Sequence, residues 1–376
     1  MTGRKLLCLD QFASIGGGQR SLLDLLPGFS QCGWDVTVAI QGSGPFADLL
    51  HENGYRTYTL PSQSYSSTKK PPVEILKYLI ALPYLTEAVQ QIVEHEKAGL
   101  LYVNGPRLLP SAAWVARKAK IPLVFHCHNR LFQESAIILA GEALRITNAW
   151  AVASCRYAAD PVREYIWPQR LNVIYNGIEC VAPNKPVRRA DRFQIGLIGR
   201  VEKGKGQMEF VQAAKLVAQK FPRCRFRIVG SPLFSGSGYY RKVIAAAENT
   251  SVDFLEWQSD VSNIYSDLDL LVVPSSALEA TPRVILEAFS AGIPVLAFPC
   301  GGIPEIIDNN RTGFLTAEAT AKSLANRILE VLRMDRGRVA SVVAQARSEW
   351  SRRFRLDAYR EAVRHVLQQA SNDFAY

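Results

Sequence analysis

The sequence has no apolar run of membrane-spanning length. Its longest uncharged stretch, Ala288 to Pro304, is broken by Gly292, Pro294, Pro299, Gly301 and Gly302, which excludes a bilayer-crossing helix. A secretory leader is not expected either. In MTGRKLLCLDQFASIGGG the apolar run stops at Asp10, too early for a signal-peptide core, so this segment is expected to be a first strand and the protein cytoplasmic. The seven cysteines, Cys8, Cys32, Cys127, Cys155, Cys180, Cys224 and Cys300, are odd in number, widely spaced and without a C-x-x-C pair. They indicate neither a zinc site nor a disulfide framework. There is no repeat of solenoid period and no low-complexity tract; only Pro61 to Pro72, rich in Ser, Tyr and Lys, reads as a surface loop. Acidic residues are in deficit, 34 against 44 Lys plus Arg, for a net charge of +10. That excess favours anionic partners, whether nucleotides, acidic glycans, anionic lipid or nucleic acid, without choosing among them.

The 376 residues suit two domains at about 150 residues each, and a 48% hydrophobic, 21% charged composition is that of a folded globular chain. Strand-like runs alternate with helical patterns: LLCL, DVTVAI, LLYVN, PLVFHC, AWAVAS and NVIYN, then QIGLIGR, RFRIVG, VDFLE, DLLVVPS and PVLAF. The alternation predicts an α/β protein with parallel sheets covered by helices. The two groups of runs are separated by APNKPVRRADR, Ala182 to Arg192, basic and without apolar periodicity, the expected linker. The division is therefore residues 1–181, a linker at 182–192 and a second domain at 193–350. The helical stretch from Val339 to Ala370, with Trp350, Phe354, Tyr359, Val363 and Leu367 as apolar anchors, is expected to return to the first domain through about 351–376.

Chemistry concentrates in PSSALEATPRVILEAFSAGIPVLAFPCGGIPEIID. A strand ends at Val273 and a helix is predicted to start near Thr281, with Thr281 as N-cap and Pro282 at the first helical position. The N–H groups of Arg283 and Val284 then lack intrahelical partners and, with the helix dipole, form an anion site at the sheet edge. Glu279 and Glu287 stand beside it. Carboxylates suit hydroxyls rather than phosphate, so a polyhydroxylated ligand carrying a diphosphate, a nucleotide sugar, satisfies both features. Read alone, the two glutamates are more commonly a loop charge and a solvated helix residue.

Arg200 ends a predicted strand and Lys205 follows Gly204 just before a helix, so both reach an anion over the sheet edge, although basic loop residues are commonly just solvated. Gly16, Gly17 and Gly18 lie between a strand and a helix, where backbone can approach a ligand closely, but they do not spell G-x-G-x-x-G, which disfavours a dinucleotide oxidoreductase. His126 and His128, two apart on a strand end, face the same side; two ligands are too few for a metal, and a buried structural histidine is an equal reading for either.

These motifs resemble glycosyltransferase family 4, the retaining enzymes of GT-B fold built from two Rossmann-like domains facing across a cleft. The resemblance rests on Glu-x7-Glu in LEATPRVILEAFSAGIPVLA, followed by GGIPEII and RTGFL; on IGLIGRVEKGKGQMEFVQAAKLV and VDFLEWQSDVSNIYSDLDLLVVPS upstream; and on SIGGGQRSLLDLL and YNGIE in the first half. It is most specific from Gln194 to Leu315. It implies a retaining glycosyltransferase that moves a sugar from a nucleotide-diphosphate donor to a glycan or lipid-linked acceptor in cell-surface polysaccharide synthesis, with no cofactor, no metal and no nucleic-acid partner. By the same resemblance Arg200 and Lys205 serve the diphosphate, Glu287 the ribose, Glu279 and His128 the donor sugar, and the Gly16–Gly18 loop with Arg20 approaches donor and acceptor. Asp267-Leu268-Asp269 spells the metal-binding D-x-D of another glycosyltransferase fold, yet here it aligns with a structural segment. Glu256 stands where many members have Gly, and Ala280-Thr281 replaces a common Gly-Phe, which leaves the donor's identity open. Arg107, Trp114, Arg117, Lys118 and Lys120 could offer peripheral contact with anionic membrane, but a solvated helix end whose cations suit the dipole is the stronger reading. Two other functions remain open at this point: a nucleotide-sugar 2-epimerase of the same fold, and a non-catalytic protein binding anionic ligands.

Overall fold

The computed structural model describes residues 4–62, 72–181, 193–231, 237–256, 262–276 and 279–373. The proposed linker at 182–192 and most of the Pro61–Pro72 loop lie outside the described residues. Chain contacts divide the protein into two compact units, Met1–Gly177 with Leu356–Tyr376, and Ile178–Arg355. The division falls just after the Asn176-Gly177 element, between Gly177 and Ile178.

The first unit holds β1 (Arg4–Asp10), β2 (Trp34–Gln41), β3 (Arg56–Leu60), β4 (Leu100–Asn104), β5 (Leu123–Cys127), β6 (Trp150–Ala153) and β7 (Leu171–Val173). They form one sheet in the order β3-β2-β1-β4-β5-β6-β7, with every pair parallel. The second unit holds β8 (Phe193–Ile198), β9 (Cys224–Val229), β10 (Val252–Leu255), β11 (Leu270–Val273), β12 (Val295–Ala297) and β13 (Phe314–Leu315), in the order β10-β9-β8-β11-β12-β13, again all parallel. Central strands such as β4 and β5 are buried along their whole length, as unbroken aliphatic runs in a helix-covered parallel sheet should be. The strand order reverses between β1 and β4 and between β8 and β11, and in such sheets ligands bind outside the carboxyl ends of the strands at the reversal.

The eleven predicted runs all carry strands, NVIYN only in its first part. The edge strands β3 and β13 are not in the sequence reading. RTYTL at β3 is polar and only its Leu60 is buried, while β13 has two residues, so neither leaves an apolar signature. The stretch from Val339 to Ala370 is two helices, Arg336–Arg353 and Leu356–Asp373. The break at Phe354 and Arg355 is held by Ile178, whose N–H donates to the Phe354 carbonyl at 2.9 Å and which bridges to Arg355. Of the predicted anchors, Phe354 belongs to the second unit, whereas Tyr359, Val363 and Leu367 join the core of the first beside Leu22, Leu25 and Phe29. The second of these helices is tied to Gly17–Gln31 by Arg360 Nε donating to the Asp24 carbonyl at 2.6 Å and by a 2.6 Å hydrogen bond between the Ser21 and Tyr359 hydroxyls.

Candidate functional site

In the second unit the chain leaves β8 through Gly199 to Arg200, whose Nη2 lies 3.0 Å from Glu202 Oε1. The Arg200 carbonyl accepts a 2.8 Å hydrogen bond from the buried side chain of Gln207, which fixes the turn into the helix Gln207–Lys220. Lys205 sits just before that helix. Gly206 between them has φ of +77°, and a Cβ there would fall 1.9 Å from the Pro274 carbonyl oxygen; no residue but glycine lets the β8 and β11 loops approach this closely. The Ser276 N–H, donating to the Gly204 carbonyl at 2.9 Å, joins the same two loops.

Glu279 follows on the loop after β11. Lys205 Nζ forms an ion pair with Glu279 Oε1, and the Ser275 hydroxyl donates to the same oxygen at 3.0 Å. Its carbonyl accepts from Gly302 N–H at 2.9 Å, so the loop is fastened at both ends. The cation assigned to the diphosphate and the carboxylate assigned to the sugar therefore form an ion pair with each other. Sequence reasoning placed them on one ligand but did not foresee their pairing.

The helix after this loop runs Arg283–Ala291, with Pro282 in the N-cap position at ψ of 114°. This corrects the sequence reading: Thr281 is not the N-cap and Pro282 is not the first helical residue. Proline's fixed φ fits an extended cap as readily as a first helical position, and Thr281 is instead buried beside Ala280. Arg283 and Val284 become the first two helical residues, so their N–H groups still lack i−4 partners within the helix. Glu287 lies one turn on. Its Oε2 accepts a 2.8 Å hydrogen bond from the Tyr265 hydroxyl and its Oε1 is 3.9 Å from Arg283 Nε. Tyr265 is fully buried; burial, and then the Glu287 charge, hold its hydroxyl well above the usual tyrosine range, so it remains a donor. Tyr265 escaped the sequence reading because a tyrosine at helical spacing reads as core. The D-x-D pair is structural in this fold: Asp269 Oδ2 accepts from Gln194 N–H at 2.8 Å and Asp267 is 3.6 Å from Arg227. Glu256 follows β10 and is exposed.

In the first unit, Gly16 is the N-cap of the helix Gly17–Gln31. Gln19 Oε1 accepts from Gly16 N–H at 3.1 Å, and Arg20 lies in the first turn. Gly17 is exposed, whereas a Cβ on Gly18 would fall 3.2 Å from Cδ2 of His128. The imidazole thus packs on the glycine backbone. His126 and His128 do face one side, with ring centroids 3.8 Å apart and planes tilted by 32°. They differ in setting. His126 is fully buried, 2.5 Å from the Tyr102 hydroxyl through Nδ1, and burial, then the neighbouring His128, push its pKa well below the usual range. His128 is partly exposed, with Nε2 2.6 Å from Asn104 Oδ1.

Under this loop lies a carboxylate that sequence reasoning used only to rule out a leader. Asp10, the last residue of β1, is fully buried. Its Oδ1 accepts from Phe12 N–H at 2.9 Å and Gln19 Nε2 at 2.8 Å, and its Oδ2 from Asn104 Nδ2 at 2.5 Å. Asp10 and Asn104 are register partners at the reversal between β1 and β4. An acid ending a strand before a Gly-rich turn was the available signal.

Two family models match in tandem: glycosyl transferase 4-like domain over residues 16–177, and glycosyl transferases group 1 over residues 182–349. The chain belongs to the group 1 glycosyltransferases of the family-4 type and has their GT-B fold. Among solved structures, HepE of Anabaena in complex with UDP-glucose superposes with a TM-score of 0.81 at 25% identity, over 97% of this chain and 99% of that one. Among curated relatives, the UDP-Gal:alpha-D-GlcNAc-diphosphoundecaprenol alpha-1,3-galactosyltransferase of Escherichia coli is 24% identical, covering 84% of this chain and 85% of the relative. A D-inositol 3-phosphate glycosyltransferase of Mycobacterium leprae is 26% identical over 69% and 67% of the two chains.

Proposed function

We propose that this glycosyltransferase is a retaining hexosyltransferase that takes its sugar from a UDP-sugar and passes it to a glycan or lipid-linked acceptor in cell-surface polysaccharide synthesis. The observation that carries the reading is the meeting of Lys205, Glu279 and the loop bearing Arg200 beside the start of the Arg283–Ala291 helix, at the carboxyl ends of β8 and β11. A diphosphate entering there would draw Lys205 from Glu279, take charge-assisted hydrogen bonds from Lys205 and Arg200 and accept from the helix N-terminal N–H groups. Glu279, released, would accept from donor-sugar hydroxyls, and Glu287, oriented by Tyr265, from the ribose. As the bond from sugar to phosphate oxygen breaks, negative charge grows on the leaving UDP, and cations placed there in advance stabilise that growth more than they stabilise the bound donor. No step of this scheme calls for a metal or cofactor. The choice of uridine follows the bound ligands of HepE and the name of the Escherichia coli relative.

For the membrane we propose peripheral contact at the cytoplasmic face. The helix Pro72–Glu96 exposes Val73, Leu76, Ile80 and Tyr84, spaced to share one face, and Trp114 is exposed on the helix Leu109–Ala119, which ends in Arg117 and Lys118. No helix among the described residues is long and apolar enough to cross a membrane, so the contact would be interfacial.

Calorimetric titration with UDP, GDP and ADP tests the donor site. UDP should bind in the micromolar range, Lys205→Ala and Glu287→Ala should abolish that binding, and Arg200→Ala or Lys205→Ala should lower turnover at least tenfold with the fold intact. Loss of UDP-sugar without any acceptor, with appearance of its epimer, would replace the reading by a 2-epimerase; no nucleotide binding at all would leave a non-catalytic protein.

A further inference from the structure

The loop that carries Arg200 and Lys205 also carries Glu202, and Glu202 is tied to both. Its carbonyl accepts from the Lys205 N–H at 3.1 Å, closing the turn that presents the lysine, and its Oε1 lies 3.0 Å from Arg200 Nη2. The backbone on either side is pinned. Val201 is fully buried and its N–H donates to the Ser231 carbonyl at 3.1 Å, while the Arg200 carbonyl takes the Gln207 side chain. The Glu202 side chain is only 23% exposed. In the scheme above Glu279 has sugar hydroxyls to accept from. Glu202 has no such task, so its carboxylate is a fixed negative charge beside a cation meant for phosphate.

The reaction gives that charge a use. In the donor both ends of the diphosphate are esterified, leaving about two negative charges; the departing UDP has a free terminal phosphate and carries about three at pH 8. Cations that stabilise the leaving group therefore hold the product more tightly than the donor, and turnover requires that it go. Coulomb repulsion scales with the charge of the ligand, so one fixed carboxylate disfavours UDP about one and a half times as much, in free energy, as it disfavours the donor. We propose that Glu202 is a specificity-determining residue that sets product apart from donor: by contending with the diphosphate for Arg200, it weakens the hold on UDP more than the hold on the UDP-sugar and so speeds the departure of UDP. The proposal rests on the reading of Arg200 as a diphosphate ligand, and it adds how that ligand lets go.

Glu202→Gln keeps the size of the side chain and the backbone turn to Lys205 and removes only the charge. Calorimetry at about pH 8 with UDP, and with its terminal methyl ester, which has the charge of the donor and no sugar, reads the effect. Glu202→Gln should bind the methyl ester about threefold and UDP about fivefold more tightly than the wild type, the two gains standing in the ratio of the charges. Glu202→Asp, which restores the charge, should return both ligands to within about twofold of the wild type. The gains should shrink between about 0.05 and 0.5 M salt, and displacement of bound UDP followed by rapid mixing should be slower in Glu202→Gln. Weaker UDP binding in Glu202→Gln would show that the carboxylate only holds Arg200 in place, and overturns the proposal; so does an equal gain for the two ligands. UDP binding that is lost in Lys205→Ala but unchanged in Arg200→Ala overturns the placement of Arg200 and the proposal with it, leaving the donor site standing. A wild type that binds no nucleotide overturns the functional reading itself.

Discussion

Replacing Asp10 by Asn should alter how stability depends on pH in a calculable way. Burial pushes the Asp10 carboxyl up from 3.8 to about 6, against the downward pull of hydrogen bonds from Asn104, Phe12, Gln19 and Gln11. Between those values the folded protein holds a proton that the unfolded chain has released. The wild type therefore gains stability as pH falls through about 6, and the gain is complete below 3.8. At about 1.36 kcal/mol per pH unit the full gain is about 3 kcal/mol, of which about 1.4 kcal/mol accrues between pH 7.5 and 5. His126 works in the opposite sense. Burial lowers its folded pKa well below 6.5, so its contribution is present above that value and is lost as pH falls. Both proteins contain it, and it cancels in their difference, as does the pH-independent cost of exchanging an oxygen for an NH2 group. Urea unfolding of wild type and Asp10→Asn at pH 7.5 and 5 should show the difference moving by about 1.4 kcal/mol in favour of the wild type. A difference that stays constant to within about 0.5 kcal/mol would refute the raised pKa, and with it the view that the site keeps a costly ionised group at neutral pH.

Gly206→Ala should destabilise the protein by about 3 kcal/mol, through a strained positive φ and the clash with Pro274; chemical denaturation measures this, and a loss below about 0.5 kcal/mol would show that the two loops separate easily. Tyr265→Phe removes the hydroxyl that holds Glu287; it should cost about 1 kcal/mol of stability and weaken UDP binding several-fold in calorimetry while leaving the sugar preference unchanged. Ile80→Glu and Trp114→Glu, both at exposed positions, should abolish co-sedimentation with vesicles rich in anionic lipid without changing turnover of a water-soluble acceptor; equal sedimentation of variant and wild type would remove the membrane contact.

What the sequence carried by itself was whatever depends on near neighbours. Most of the eleven apolar runs announced their strands because a strand buried on both faces must be apolar throughout, although β7 and β10 are only partly buried. The helix start before Arg283 was legible because Pro282 and the apolar period after it mark it, although the cap itself moved by one residue. Arg200, Lys205, Glu279 and Glu287 were visible through spacing and family pattern. The polar edge strand β3, the break between the last two helices and the destination of each half of that stretch were not visible, since each depends on a partner distant in the chain: β3 on β2, and Phe354 on Ile178. The pairing of Lys205 with Glu279 and the tie of Tyr265 to Glu287 are of the same kind. Asp10 shows the limit most clearly. In the sequence it is one acid at the end of a short apolar run; the parallel register of β1 with β4 sets it against Asn104, 94 residues away. Only that register turns an isolated carboxylate into the group that orients an amide, a glycine-rich helix start and a histidine, because hydrogen-bond polarity passes from group to group only when all of them are already in place.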